Sequence, residues 1–214
     1  MITRAGTIVD ASIVEVPRQR NSREENRLIM AGQRPEAWQT NPDKLWQKDV
    51  DARWTKKNEQ NYYGYKDHVV ADLESKLIVR AEVTTASEHD SQALDALTQP
   101  GDPATWADSA YTGANCEAIL AAKGITAHIC EKGTRGHALT KLQQRSNRAK
   151  SRKRVRVEHI FGFMTGSMRA LFQRCIGLVR NRACILLTNL VYNMARTEQI
   201  IRLQLLGRKT PKLM

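Results

Sequence analysis

The hydrophobic pattern opens with a short apolar run, Gly6-Thr7-Ile8-Val9-Asp10-Ala11-Ser12-Ile13-Val14, whose length and β-branched content predict a buried strand. From Glu15 to Gln60 the pattern dissolves into Pro, Asn, Gln and Arg with scattered Trp38, Trp46 and Trp54. This predicts an insertion or long loop over 15–60, with short helices near Arg23–Ala31 and Pro42–Gln47. Two runs, Tyr62–Asp72 and Leu77–Thr85, flank the polar link Leu73-Glu74-Ser75-Lys76 and predict an antiparallel hairpin. Asp90 is expected to cap a helix over Ser91–Thr98. A strand over Thr105–Asp108, a helix over Ala114–Ala122 stopped at Lys123-Gly124, and a strand over Ile125–Cys130 follow. A basic loop then leads to a helix from about Ser151 to Leu171, where Val157, Phe161, Met164, Met168 and Leu171 recur at spacings of three and four. A last helix, Val179–Leu206, is expected to bury Ile185, Leu186, Leu190 and Met194. The order of elements predicts an α/β fold with a mixed sheet flanked by helices and an insertion after the first strand.

Composition adds a charge argument. The chain has 214 residues, 41% hydrophobic, with a formal net charge of +12. That excess implies a polyanionic partner, and no apolar run is long enough for a membrane span, so nucleic acid is the expected one. The opening residues lack the apolar core of a signal peptide, which makes a cytoplasmic location the expectation. Ten basic residues and no acid lie between Lys132 and Val157. We read 132–157 as a DNA-contacting segment, against the plainer alternative of a solvated face or arm. Cys116, Cys130, Cys175 and Cys184 form no metal-binding pattern and read as reduced, mostly packed thiols. The five histidines lack zinc spacing and read as structural or exposed.

Three acids stand where acids are unexpected. Asp10 interrupts the first strand, Asp108 follows Trp106-Ala107, and Glu158 sits among Val155, Val157, Ile160 and Phe161. Carboxylates in such settings are normally paired, hydrogen-bonded or bound to metal. Asp10, Asp108 and Glu158 are thus candidate catalytic residues and ligands for one or two Mg²⁺ or Mn²⁺ ions, which prefer hard oxygen donors. Two such ions activate the attacking oxygen and stabilise the leaving one in phosphodiester chemistry. Arg154 precedes Glu158 by four residues, so on one helix they share a face. Either a surface ion pair or a phosphate-orienting role accounts for that spacing.

The blocks Ile8-Val9-Asp10-Ala11-Ser12, Trp106-Ala107-Asp108-Ser109-Ala110-Tyr111 and Arg154-Val155-Arg156-Val157-Glu158-His159-Ile160-Phe161-Gly162 resemble the catalytic blocks of bacterial insertion-sequence DDE transposases, notably the IS-five family within the wider IS-four-like group. Asp51–Lys57, Tyr65–His68 and Thr84–Ser91 resemble it too, in matching order. The resemblance implies an RNase H-like fold with a five-stranded mixed sheet and a catalytic domain over 1–206, followed by a tail at 207–214. It implies metal-dependent cleavage at element ends and transfer of 3′-hydroxyl ends to target DNA. The partners it implies are double-stranded DNA, as terminal inverted repeats and target, and a second copy of the chain on that DNA. Lys150, Arg152, Lys153, Arg154, Arg156 and Arg169 are the expected DNA contacts.

Two positions depart from the wider motif: Ser151 stands where a tyrosine is found, and Thr165 where a lysine is found. Lys153, Arg156 or Arg169 would then take over the phosphate contact. Relatives carry a long N-terminal segment that binds element ends, whereas nine residues precede Asp10 here. The sequence is therefore expected to represent the catalytic half. The alternative is a non-catalytic DNA-binding remnant or regulator of a longer transposase.

Overall fold

Strand alternation, set by the first nine-residue strand, fixes where the site lies. A computed structural model describes residues 1–134 and 136–205. The tail expected over 207–214 lies outside the described residues. Strand β1 (Thr7–Glu15) is central: it runs antiparallel to β3 (Gln60–Asp72) and parallel to β5 (Ala104–Ala107). Strand β6 (Thr126–Ile129) continues the parallel side. The 13 residues of β3 serve several neighbours. Strand β2 (Arg53–Lys57) pairs with its first five residues, and β4 (Ile78–Thr85) pairs along the remainder. The five-stranded mixed sheet is present as expected, with β2 as an additional strand inside the region read as insertion. Its sequence, Arg-Trp-Thr-Lys-Lys, is mostly solvent-facing and so carries no buried pattern.

Helices cover both faces, which is why β1 reads as a continuous apolar run. Ile8 packs with Val69, Trp106 and the buried side of α7 (Arg156–Gly166): Val157, Ile160, Phe161 and Met164. Val9 packs on the opposite face with Leu94 and Leu97 of the short α4 (Leu94–Leu97) and with Cys116 and Leu120 of α5 (Ala114–Ala122). Helix α5 matches its expected range residue for residue. The helix expected over Ser91–Thr98 is a 3-10 turn, Asp90–Ala93, running into α4. Its cap is His89, whose Nδ1 accepts from the Ser91 N–H, while Asp90 pairs with Lys66 at 2.8 Å. Gly6 adopts φ +145 beneath Trp106, where a Cβ would lie 2.2 Å from the indole.

The insertion closes on itself through α1 (Arg23–Met30), α2 (Glu36–Gln39) and α3 (Pro42–Gln47). Ser22 and Glu25 form a capping box on α1. Glu25 also accepts the Trp38 indole N–H at 2.7 Å and pairs with Lys44. Trp38 is fully buried, whereas Trp46 and Trp54 are exposed. Asp49 anchors the end of the insertion, accepting from the Ala52 and Gly177 N–H groups and the Tyr65 hydroxyl.

Two expectations on the C-terminal side are corrected. The single helix expected from Ser151 to Leu171 is instead two, α6 (Lys141–Arg154) and α7, broken at Val155. The basic stretch read as a loop is thus largely α6. Thr140 and Gln143 form its capping box, and Arg152, Lys153 and Arg154 favour its C-terminal end. No residue of α6 is buried, so it lacks the apolar period by which helices are read.

The last helix, α8 (Leu178–Arg202), packs opposite to expectation. Ile185 is buried as expected, but Leu186, Leu190 and Met194 are 36, 55 and 65% exposed. The inward face carries Asn181, Asn189, Tyr192 and Asn193 because the surface it meets is polar. Asn193 hydrogen-bonds both the N–H and the C=O of Ile78, Tyr192 donates to the Lys76 carbonyl, and Asn189 donates to Asp67 at 3.0 Å. Among the described residues, no helix is long and apolar enough to cross a membrane.

Asp67 is buried at 1% exposure, and burial pushes its pKa up to about 7, with the Asn189 bond acting the other way. Its Oδ2 and the Asn189 Oδ1 both lack partners among the described residues. The fold therefore holds a proton that the unfolded chain releases above its ordinary value of 3.8, so stability should fall as pH rises from about 4 through about 7. Asp67→Asn should flatten this dependence and stabilise the protein at pH 8 by on the order of a few kcal/mol. Urea denaturation at pH 5 and 8 checks this, and equal gains at both values would contradict it.

Candidate active site

Side-chain alternation along β1 puts Ile8, Asp10 and Ser12 on one face, the face covered by α7. Ile8 pairs with Trp106 on β5, and both pack in the same core cluster. Asp10 and Asp108 each lie two residues beyond that pair, where the parallel strands separate. Asp108 closes β5, and its Oδ1 accepts the Ala110 N–H at 2.8 Å to cap a 3-10 turn, Ser109–Tyr111. Glu158 lies in the first turn of α7, exposed beside the buried Val157. Of the three acids, one therefore comes from the middle of the central strand, one from the end of β5 and one from the covering helix.

Asp10 is the most perturbed of the three. Its Oδ1 accepts the adjacent Ala11 N–H at 2.8 Å, and its Oδ2 accepts from Arg154 Nη1 at 2.7 Å. Burial pushes its pKa up to about 6; Arg154 and the Ala11 bond pull it down, while Asp108 and Glu158 push it further up. A partly buried carboxylate facing two more, at an elevated pKa, has a deficit of positive charge. Arg154 supplies one unit of it. Of the two roles weighed for Arg154, the ion pair with Glu158 is not formed; Arg154 pairs with Asp10 instead. The cause is the break at Val155, which ends α6 at Arg154 and prevents the two residues from sharing a continuous helix.

The donor chemistry of Asp10, Asp108 and Glu158 fits a hard divalent ion: all are carboxylates, and their mutual repulsion asks for a cation. Among the described residues, no group of three His, Cys, Asp or Glu side chains is drawn together as a ready-made cage. Arg154 occupies on Asp10 a position that a cation would share.

The expected DNA contacts divide by face. On the sheet side of α6, Gln143 and Asn147 bond Glu131, Lys150 donates to the Ile129 carbonyl at 2.8 Å, and Arg154 reaches Asp10. Lys153 lies 4.3 Å over the Trp106 ring, which stacks on His128. Arg156 donates to the Leu73 carbonyl. The opposite face carries Lys141, Arg145, Arg148 and Arg152, all exposed and at spacings of four, three and four. Of this stripe, sequence reading singled out only Arg152 as a contact. The capping box at Thr140 and the spacing of the cations were the available signal. Arg169, at φ +50, lines a groove of about 530 Å³ with Ser12, Lys57, Tyr62, Thr165 and Phe172.

Tyr111 was not anticipated. Its buried hydroxyl has no partner among the described residues, and burial together with Asp90, Asp10 and Asp108 pushes its pKa well up. It packs on the opposite face, with Val9 and Leu120. Of the histidines, His68 is buried against Thr84 and His128 stacks on Trp106, structural roles as expected, while His159 is exposed.

A mixed sheet with acids on adjacent parallel strands, one within β1 and one just past β5, and a third on the covering helix is consistent with an RNase H-like architecture. The family model described as "Transposase DDE domain" matches residues 3–194, and the chain belongs to that family. No solved structure matches it.

Holding Asp10 ionised costs stability. The folded pKa of about 6 lies above the ordinary 3.8, so at pH 7.5 the fold carries a charge it disfavours. Asp10→Asn keeps the acceptor for Ala11 and should raise stability at pH 7.5 by roughly 1–3 kcal/mol in metal-free protein. Thermal melts would show the gain shrinking toward pH 5, and a destabilised variant at pH 7.5 would refute the argument.

Proposed function

We propose that this chain is the catalytic part of a bacterial insertion-sequence transposase of the IS-five family, cutting DNA at element ends and joining the 3′-hydroxyl ends to target DNA. The observation that supports this reading is the match to the transposase DDE family over residues 3–194, together with an Asp10 whose carboxyl is raised by burial first and by Asp108 and Glu158 in addition. In this reading all three are catalytic metal ligands. Bound there, one or two Mg²⁺ or Mn²⁺ ions would activate the attacking oxygen and stabilise the leaving one. Arg154 holds Asp10 in place and partly neutralises it until the site is loaded. Cleavage and joining share the site because both are phosphodiester displacements.

Double-stranded DNA would lie along the outer stripe of α6, with Arg148 and Arg152 on phosphates. Lys150, Lys153 and Arg156 support that surface from their inward contacts. Of the three cations proposed to compensate for Thr165, Arg169 is the best placed, since it lines the same groove as Thr165. The domain assignment 1–206, with the 15–60 insertion and the 132–157 contact segment, belongs to this proposal. So do a cytoplasmic, nucleoid-associated location and a homodimer on DNA. The exposed Leu187, Leu190, Val191 and Met194 on α8 support self-association.

The decisive experiment is a cleavage and strand-transfer assay on DNA carrying the element's terminal repeat, in Mg²⁺ or Mn²⁺. Metal-dependent products should vanish in Asp108→Ala. Absence of products from the wild-type chain, with DNA binding intact, would replace this reading with that of a DNA-binding remnant. Separately, Arg148→Ala and Arg152→Ala should weaken DNA binding uniformly across sequences. Each should lower the slope of log K against log salt by about 1. Unchanged slopes would remove α6 from the DNA interface.

A further inference from the structure

Helix α8 begins beside a pair of thiols that the proposed chemistry does not use. Cys175 lies in the connection between α7 and α8, and Cys184 lies in the second turn of α8. Their sulfurs are 3.1 Å apart, and both residues are only partly buried. A disulfide needs about 2.05 Å, so closure requires movement of about 1 Å. The intervening segment is already folded into place. Asn181 donates to the Cys175 and Gly177 carbonyls, Gly177 N–H is held by Asp49, and Leu178 N–H by Asp51. Little chain entropy remains to be lost on closure.

We propose that Cys175 and Cys184 are a thiol-exchange site that takes a low-molecular-weight disulfide and converts it into an intramolecular Cys175–Cys184 bond. One thiol, deprotonated, attacks a sulfur of the external disulfide and expels one thiolate. The neighbouring thiolate then attacks the protein-side sulfur of the mixed disulfide and expels the second. Two protein thiols and one external disulfide become one protein disulfide and two external thiols, so atoms and electrons balance. The hydrogen bond to Cys184 and burial hold the Cys175 proton tightly, against the pull of Arg180, so exchange should quicken as pH rises from 7 to 9.

The bond would fix the connection to α8. That connection runs beside β1: Glu15 N–H donates to the Leu171 carbonyl and Gln173 N–H to the Glu15 carbonyl. Phe172 and Arg169 in the connection line the groove next to Ser12 and Thr165. Oxidation would therefore stiffen one wall of that groove. None of this requires the proposed transposase activity.

The test treats the full chain with glutathione disulfide, then alkylates free thiols and digests with trypsin without reduction. The expected result is a loss of two hydrogens with no glutathione retained, and one linked product joining 175–180 to 183–196. Cys116 and Cys130 should remain alkylated. Cys175→Ser should instead leave a stable glutathione adduct on Cys184. Glutathione adducts on Cys175 and Cys184 of the unaltered chain, or links between chains, would overturn the proposal. Native trypsin cleavage after Arg174 should slow severalfold on oxidation, recover with dithiothreitol, and stay unchanged when Cys175→Ser and Cys184→Ser are combined. A formed link with unchanged cleavage would overturn the stiffening.

Discussion

The contact between Arg154 and Asp10 joins elements 144 residues apart in sequence, the end of α6 and the middle of the central strand. It is short and half-shielded, and it lies where two other carboxylates bring their charge close. Burial there disfavours the ionised form of the acid, and the Arg154 cation offsets only part of that. The basic helix α6 brings that cation to the central strand and turns its outer stripe away from the sheet. The ion pair thereby tempers the electrostatics of the pocket and, with the contacts of Gln143, Asn147 and Lys150, fixes which face of α6 turns outward.

Much of this was legible because burial leaves periodic traces. Strand β1, the β3–β4 hairpin and α5 are apolar on the faces that meet the core, and their ranges follow from that. The three acids were legible for the converse reason: they interrupt apolar runs. Helix α6 was not, since it buries nothing, and β2 was not, since a lysine-rich edge strand is specified by its partner. The order and identity of the acids were visible in sequence, whereas the partner of Arg154 was not. A helix break at Val155 has no proline or glycine to announce it, and it redirects the guanidinium from α7 to β1.

Helix α8 shows where hydrophobicity misleads. Leucines at helical spacing are normally core, yet here the asparagines turn inward. The reason is the surface they meet: the β3–β4 turn and the start of β4 present free backbone groups, which need hydrogen bonds more than they need apolar cover. Asn193 satisfies both groups of Ile78 at once. The cost is an apolar stripe left in solvent, a common feature of surfaces that act in assemblies.

Because α6 docks mainly through hydrogen bonds and ion pairs, with Lys153 over Trp106 as its aromatic contact, water competes for most of the contacts that hold it. Ionic strength then acts on this helix twice. It would screen the outer stripe from the DNA proposed to lie on it, and it would loosen the inner stripe from the sheet. If α6 binds DNA as proposed, its docking and its load would be coupled: a polyanion on the outer stripe would neutralise the repulsion among its cations and so hold the inner contacts closed.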